Sequence, residues 1–259
     1  MMLRTLNIAA ALLGAALLSS PALAAGDAPK PPAQDWTWGG VVGGFDEAQL
    51  QRGFKVYQNV CSACHAKSLV SFRNLSQRGG PGFTEDEVKV IASEYFVMDG
   101  PDDFGDMFER EAIPADRFPS PFPNEQAARA ANGGAYPLDL SVIAKARPNG
   151  PDYIYALLTG YRDDAPEGID VGDQYYNDYY PGHLISMGPP LADEIIEYTD
   201  GTPMTVSQYS KDVAAYLMWA AEPKLEERKR IGFNVMLYLI FLTGLLYLTK
   251  RKLWAKIDH

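Results

Sequence analysis

Residues 52–65 read RGFKVYQNVCSACH, and Cys61, Cys64 and His65 at its end set what the rest of the chain must fold around. Two thiols three residues apart can each add to one vinyl group of a haem. The histidine that follows is placed to bring an imidazole nitrogen onto the iron, which makes this the c-type haem attachment spacing. Other uses of a Cys-x-x-Cys pair fit less well. A redox dithiol would need a thioredoxin-like strand ahead of the motif, and residues 46–60 instead place Leu50, Phe54 and Tyr57 at helical spacing. Structural zinc would need a second ligand pair, but there is no further cysteine and the other histidines are His183 and His259. The motif occurs once, so one covalent haem c is the expected cofactor and multihaem cytochromes are excluded.

A second axial ligand is expected from methionine, whose neutral sulfur favours reduced iron and suits an electron carrier. Of eight methionines, Met1 and Met2 fall in the leader, Met236 in an apolar run and Met218 in an apolar helical stripe. Met98 and Met107 belong to an acidic stretch between Asp99 and Glu111 or its edge, leaving Met187 and Met204. Met187 stands in Ile185-Ser186-Met187-Gly188-Pro189-Pro190, where prolines stiffen the loop and glycine permits close approach of the backbone to a ring. Met187 is the expected ligand, with Met204 and His183 as the alternatives. Packing in a core is the commoner use of any single methionine.

The ends of the chain place this domain. Arg4, the apolar run Ala9–Leu18 and the small-residue sequence Ala22-Leu23-Ala24 read as a signal peptide over 1–24, rather than as a buried N-terminal helix. The 19 residues Ile231–Thr249 carry no charge and reach about 28 Å as a helix, close to the thickness of a bilayer core. Cations at 228–230 and 250–252 flank that run on both sides. It reads as a membrane anchor over 228–252 with a cytoplasmic tail over 253–259, and a buried core helix is the competing reading. The signal then puts residues 25–227 on the periplasmic side of a bacterial inner membrane.

That domain carries 32 acidic and 15 basic residues out of a chain of 259, which gives it a charge of −17. Such a surface repels nucleic acid and attracts basic proteins with a steering that salt weakens. Residues 26–40, with Pro29, Pro31 and Pro32, read as an extended arm without core. Thr205 with Gln208 fits a capping box ahead of the stripe Val213, Tyr216, Leu217 and Ala220. Gly53 should let the helix before the motif approach this one at Tyr216 and Leu217. Short helices are expected over 125–131 and 152–158. Arg147, with Tyr153 close by, is a candidate clamp for the haem propionates, although a solvated arginine fits equally well. Alternating strands are scarce, so the fold class is mostly α: a c-type cytochrome with long loops around one haem and a C-terminal transmembrane helix.

The chain resembles the cytochrome c1 family of the ubiquinol:cytochrome c reductase (cytochrome bc1) complex, in an alphaproteobacterial form, over nearly all of residues 36–255. Beyond CSACH, the strings DGPDD, PNEQAARAANGGA, DLSVIAKAR, DYIYALLTGY, YYPGHLISMGPPL, DGTP, KDVAAYLMWAAEP and RKRIG carry the resemblance in order. It implies thioether links at Cys61 and Cys64, axial ligands His65 and Met187, and Arg147 near a propionate. The implied partners are cytochrome b, a Rieske iron-sulfur donor and a small basic cytochrome c acceptor, in a dimeric complex. Clusters at 85–87, 99–111 and 163–178 are then candidate docking surface for the acceptor. One departure is local: the family's proline before Asp-Leu-Ser is replaced by Leu138, with Pro137 one earlier. Members with a disulfide in the domain also exist, and this chain lacks the cysteines for one.

The expected function is electron transfer without bond chemistry, so the chain is not an enzyme by itself but a subunit of an oxidoreductase. A tethered cytochrome that supplies a terminal oxidase or reaction centre would share haem, anchor and acidity but need no Rieske contact. A haem sensor would require an open or easily displaced sixth position.

Overall fold

The computed structural model of the chain describes residues 29–255. The expected signal peptide and residues 256–259 of the expected tail lie outside the described residues. Helix α1 (Glu47–Asn59) begins where the Gln49 amide donates to Asp46 Oδ1 at 2.7 Å, and it runs directly into a single 3-10 turn, Cys61–Ala63. Helix α2 (Glu85–Ser93) opens on a full capping box, because the Glu87 amide donates to Thr84 Oγ1 while the Thr84 amide donates to the Glu87 carboxylate. Helices α3 (Glu125–Ala131), α4 (Ile143–Ala146) and α5 (Gly150–Thr159) follow, then α6 (Val206–Ala221) and α7 (Leu225–Trp254). Strand structure is confined, among the described residues, to two antiparallel ribbons. One pairs β1 (Phe96–Asp99) with β2 (Phe108–Glu111), and the other pairs β3 (Tyr175–Tyr176) with β4 (Leu184–Ile185).

The core lies between α1 and α6. Leu50, Phe54, Val56 and Tyr57 of the first face Tyr209, Val213, Tyr216 and Leu217 of the second, all of them buried. Gly53 is the point of closest approach, since a Cβ there would stand 2.1 Å from the Asp212 carbonyl oxygen and 2.6 Å from Tyr216 Cβ. The contact therefore falls on Tyr216, as expected, and on Asp212 one turn earlier along α6 rather than on Leu217. Asp212 is fully buried and satisfied. It accepts from Arg52 Nε at 3.0 Å, Gln49 Nε2 at 3.2 Å, Gln208 Nε2 at 2.8 Å and the Tyr198 hydroxyl at 3.0 Å. The expected capping box is thus half made: the Gln208 amide donates to Thr205 Oγ1, but the Gln208 side chain turns inward to Asp212.

The N-terminal arm corrects the expectation that it holds no core. Trp38 is only 6% exposed, stacks on Trp36 at 4.7 Å and packs against Phe45. The Gln34 amide and Trp36 Nε1 both donate to Asp152 Oδ1 at the start of α5, at 3.0 and 2.7 Å. Indole rings bury large apolar area once their N–H is satisfied, and Asp152 satisfies it here. The arm also braces the anchor. The Phe45 amide donates to Glu226 Oε1 at 2.7 Å, and Lys229 Nζ donates to the carbonyls of Trp38 and Gly43. Beyond these residues α7 is exposed over its apolar length, and it is long and apolar enough to cross a membrane.

Candidate functional site

His65 is held by the segment that contains Leu138. Its Nδ1 lies 2.8 Å from the Leu138 carbonyl oxygen. A carbonyl can only accept, so the proton sits on Nδ1 and the Nε2 lone pair is left for a metal. Burial lowers the pKa of the imidazole, against the opposing pull of Leu138 and Asp139, and so favours the neutral form that ligates. Side-chain hydrogen bonds stiffen the backbone around Leu138. Asp139 accepts from the Ser68 amide at 2.9 Å, from its hydroxyl at 2.5 Å and from the Ser141 amide at 2.7 Å, while the Leu140 amide donates to Ala66 at 2.8 Å. The segment is therefore clamped to the residues that follow the motif.

The turn itself is supported from behind. The Tyr57 hydroxyl donates to the His65 carbonyl at 3.1 Å. Lys67 is fully buried, donates to the Tyr216 hydroxyl, and has its Nζ 3.6 Å from the Phe118 ring centre, 4.2 Å from Tyr57, 4.6 Å from Tyr216 and 5.3 Å from Phe54. Burial drives the ammonium of Lys67 towards its neutral form and keeps the proton on Tyr216. The four rings offset part of the desolvation by presenting their negative faces. Nothing in the sequence marked Lys67, because a lysine two residues after a haem motif reads as solvated surface.

Neither cysteine forms a disulfide. Burial pushes the Cys61 thiol up to about 12, with Lys67 pulling the other way. Met187 is half-buried, and the Tyr161 hydroxyl donates to its carbonyl at 2.9 Å. Gly188 faces the Tyr175 ring, where a Cβ would stand 3.1 Å from Tyr175 Cζ. Of the alternatives, Met204 packs against the core, and His183 stacks on Tyr176 with its Nδ1 3.1 Å from the Asn177 carbonyl, a contact that leaves its Nε2 lone pair free as at His65. His183 has φ of 63°, which fits a turn residue. Arg147 is half-buried, donates to the Ala146 carbonyl at 3.1 Å, and acts electrostatically on the buried Tyr153, whose pKa is raised by burial and eased down by that guanidinium. Tyr153 in turn neighbours Tyr161. The contact of Tyr161 with the Met187 backbone was not read from the sequence.

Two cysteines outside any disulfide, an imidazole with a fixed proton and a free Nε2, and a half-buried thioether fit a covalent haem. On a helical domain with one anchor helix they define a membrane-tethered monohaem c-type cytochrome. The chain belongs to the Cytochrome C1 family, which it matches over residues 36–257. It is 50% identical over 242 residues to cytochrome c1 of Rhodospirillum rubrum, covering 87% of this chain and 88% of that one. It is 46% identical over 275 residues to cytochrome c1 of Blastochloris viridis, covering 98% and 97%. A third relative, cytochrome b/c1 of Bradyrhizobium diazoefficiens, is 52% identical over 245 residues. This alignment covers 87% of the present chain but only 36% of that longer protein. The family carries one covalent c-type haem and forms the haem subunit of the cytochrome bc1 complex, and this chain does the same as a mostly helical, membrane-anchored electron carrier.

Proposed function

We propose that the chain takes electrons from a Rieske iron-sulfur protein and passes them to a small basic cytochrome c, with Cys61 and Cys64 attaching the haem and His65 and Met187 completing the iron. The single observation that carries the assignment of His65 is the Nδ1 contact with Leu138, which fixes the tautomer a metal requires. When bound, the haem supplies a one-electron couple. The chain's own residues do the rest: Leu138, clamped by Asp139, orients the imidazole; Tyr57 and Lys67 hold the attachment turn; Tyr161 positions the Met187 backbone. Arg147, beside Tyr153, keeps donors in reserve for a propionate. No bond chemistry is assigned to the chain itself.

Cytochrome b is the proposed neighbour of α7, supported by the name cytochrome b/c1 borne by the Bradyrhizobium relative. The haem domain, taken as residues 25–227 after removal of 1–24, faces the periplasm in this reading, within a dimeric complex. Of the acidic clusters, Asp86 is paired with Lys89, Asp99 with Arg110 and Asp178 with Arg162. The docking face is therefore assigned to the carboxylates outside those pairs. Family membership sets aside a tethered donor to an oxidase or reaction centre. The test is to purify the tagged full chain in mild detergent and record reduced-minus-oxidised spectra together with quinol:cytochrome c reductase activity. Co-purifying b-type bands with activity support the reading, and a c-type band alone from intact complex would overturn it.

A further inference from the structure

We propose that the cavity where the haem domain meets its anchor is a phospholipid site that takes a phosphatidylethanolamine head group, its phosphodiester held by Arg78 and Arg230. The cavity has a volume of about 530 Å³ and is walled by Val41 and Val42 of the arm, Arg78, and Glu227, Arg230 and Phe233 of α7. Its level relative to a bilayer follows from the sequence of α7. Arg230 is the last cation before the charge-free run Ile231–Thr249, and Phe233 lies one turn further along, about 4.5 Å towards the hydrocarbon. The upper part of the cavity thus sits at head-group depth and the lower part at the start of the acyl chains.

Two further features distinguish this cavity from a chance gap. Val41 and Val42 are 71% and 94% exposed, on an arm pinned to α7 through Glu226 and Lys229. Apolar side chains held out at that level are suited to acyl chains rather than water. Lys229 and Glu226 also line the cavity, but both are committed to backbone groups of the arm. Arg78 and Arg230 are exposed and, among the described residues, form no ion pair. Two guanidiniums match the paired oxygens of a phosphodiester, and Glu227 at the same rim offers an acceptor to a primary ammonium. Arg78 and Arg230 face the phosphodiester and Glu227 the ammonium, so each charge of a zwitterionic head group meets an opposite charge at the rim.

The site requires only the anchor, and it stands apart from the assignment of electron-transfer partners. The test uses the full-length holoprotein in phosphatidylcholine nanodiscs doped with phosphatidylethanolamine or phosphatidylglycerol, with retained lipid per haem counted by native mass spectrometry. The wild type is expected to retain phosphatidylethanolamine in preference to phosphatidylglycerol. R78Q/R230Q is expected to hold it roughly thirtyfold more weakly, the effect of two surface cations on a lipid phosphate. E227Q should shift the preference towards phosphatidylglycerol. Haem absorbance reports folding in the same samples, and V42D, which spares both arginines, should also lower retention. Unchanged retention in R78Q/R230Q would overturn the site. A wild-type preference for phosphatidylglycerol would overturn the head-group assignment, and displacement by inorganic phosphate would overturn the lipid as its source.

Discussion

The two sides of the proposed haem site are built differently. On the histidine side, α1 and α6 close over Gly53, four acceptor contacts converge on the buried Asp212, and Lys67 is enclosed by four rings behind the attachment turn. On the methionine side, residues 160–190 hold only the two-residue strands β3 and β4, and the Met187 backbone is fixed by one tyrosine hydroxyl. In the proposed arrangement Cys61 and Cys64 tether the haem to the first side, so precision there is set by packing. The second side has only to present a sulfur, and a loop with few constraints suffices. Disruption on the first side should therefore read out as lost stability, and on the second as altered potential.

The largest effect is expected from Asp212→Ala. It strips one acceptor from Arg52, Gln49, Gln208 and Tyr198 at once in a fully buried place. A cost of about 3 kcal/mol is expected in denaturant unfolding of the holoprotein, with the potential almost unchanged. A loss within the range of ordinary surface substitutions would mean that the dense side does not carry the stability. Met187→Leu is the complementary break. Removing the thioether should lower the midpoint potential by on the order of 100 mV, about 2.3 kcal/mol per electron, while the haem stays attached. A nearly unchanged potential would take Met187 out of the coordination sphere and revive a displaceable sixth position.

A smaller change sharpens the contrast. Tyr161→Phe removes the one side-chain hydrogen bond to the Met187 backbone, worth about 1 kcal/mol. The affinity for added imidazole, which competes for the sixth position, should rise about fivefold. The same substitution at Tyr57, whose hydroxyl donates to the His65 carbonyl, should leave that affinity flat, because the histidine side has the Leu138 and Asp139 contacts in reserve.

How much of this was legible differs between the same two sides. Helices α1, α3 and α6 follow from local caps and apolar spacing, and their observed bounds lie within a residue or so of the expected ones. The role of the arm was not legible, because Trp36 is completed by Asp152, 116 residues away, and proline-rich composition conceals such a contact. Lys67 and Gln208 escaped for a related reason: each carries a polar group that sequence logic sends to solvent or to a cap, and each finds its partner across the α1/α6 interface or within it. Leu138 was half legible. The position stood out as a departure, but the clamp that holds it is a side chain, Asp139, whose partners are Ser68 and Ser141.

That clamp gives the histidine side a pH dependence. Burial raises the Asp139 pKa, and the donors from Ser141 and Ser68 outweigh it, so the carboxyl lies below its ordinary value in the folded chain. A depressed carboxylate contributes stability in full above its unfolded value of about 3.9 and loses it as pH falls through the folded one. Acid titration of the haem absorbance should therefore show a transition below about pH 4 that Asp139→Asn flattens. A transition unchanged by that substitution would mean that the Leu138 carbonyl is held by the backbone alone.

The smallest expected effect bears on the boundary between the two sides. Arg147 is half-buried, and its one hydrogen bond among the described residues goes to the carbonyl of its own neighbour Ala146, which leaves most of its donors for another acceptor. A propionate there would accept a charge-assisted hydrogen bond worth about 1 kcal/mol or somewhat more. Arg147→Gln removes that charge, and at about 2.3 kcal/mol per 100 mV the potential should fall by roughly 40 mV. Arg147→Lys should recover part of the fall, because the charge returns without the fork. A solvated arginine would give no shift in either variant. In that case the propionates would draw on donors elsewhere.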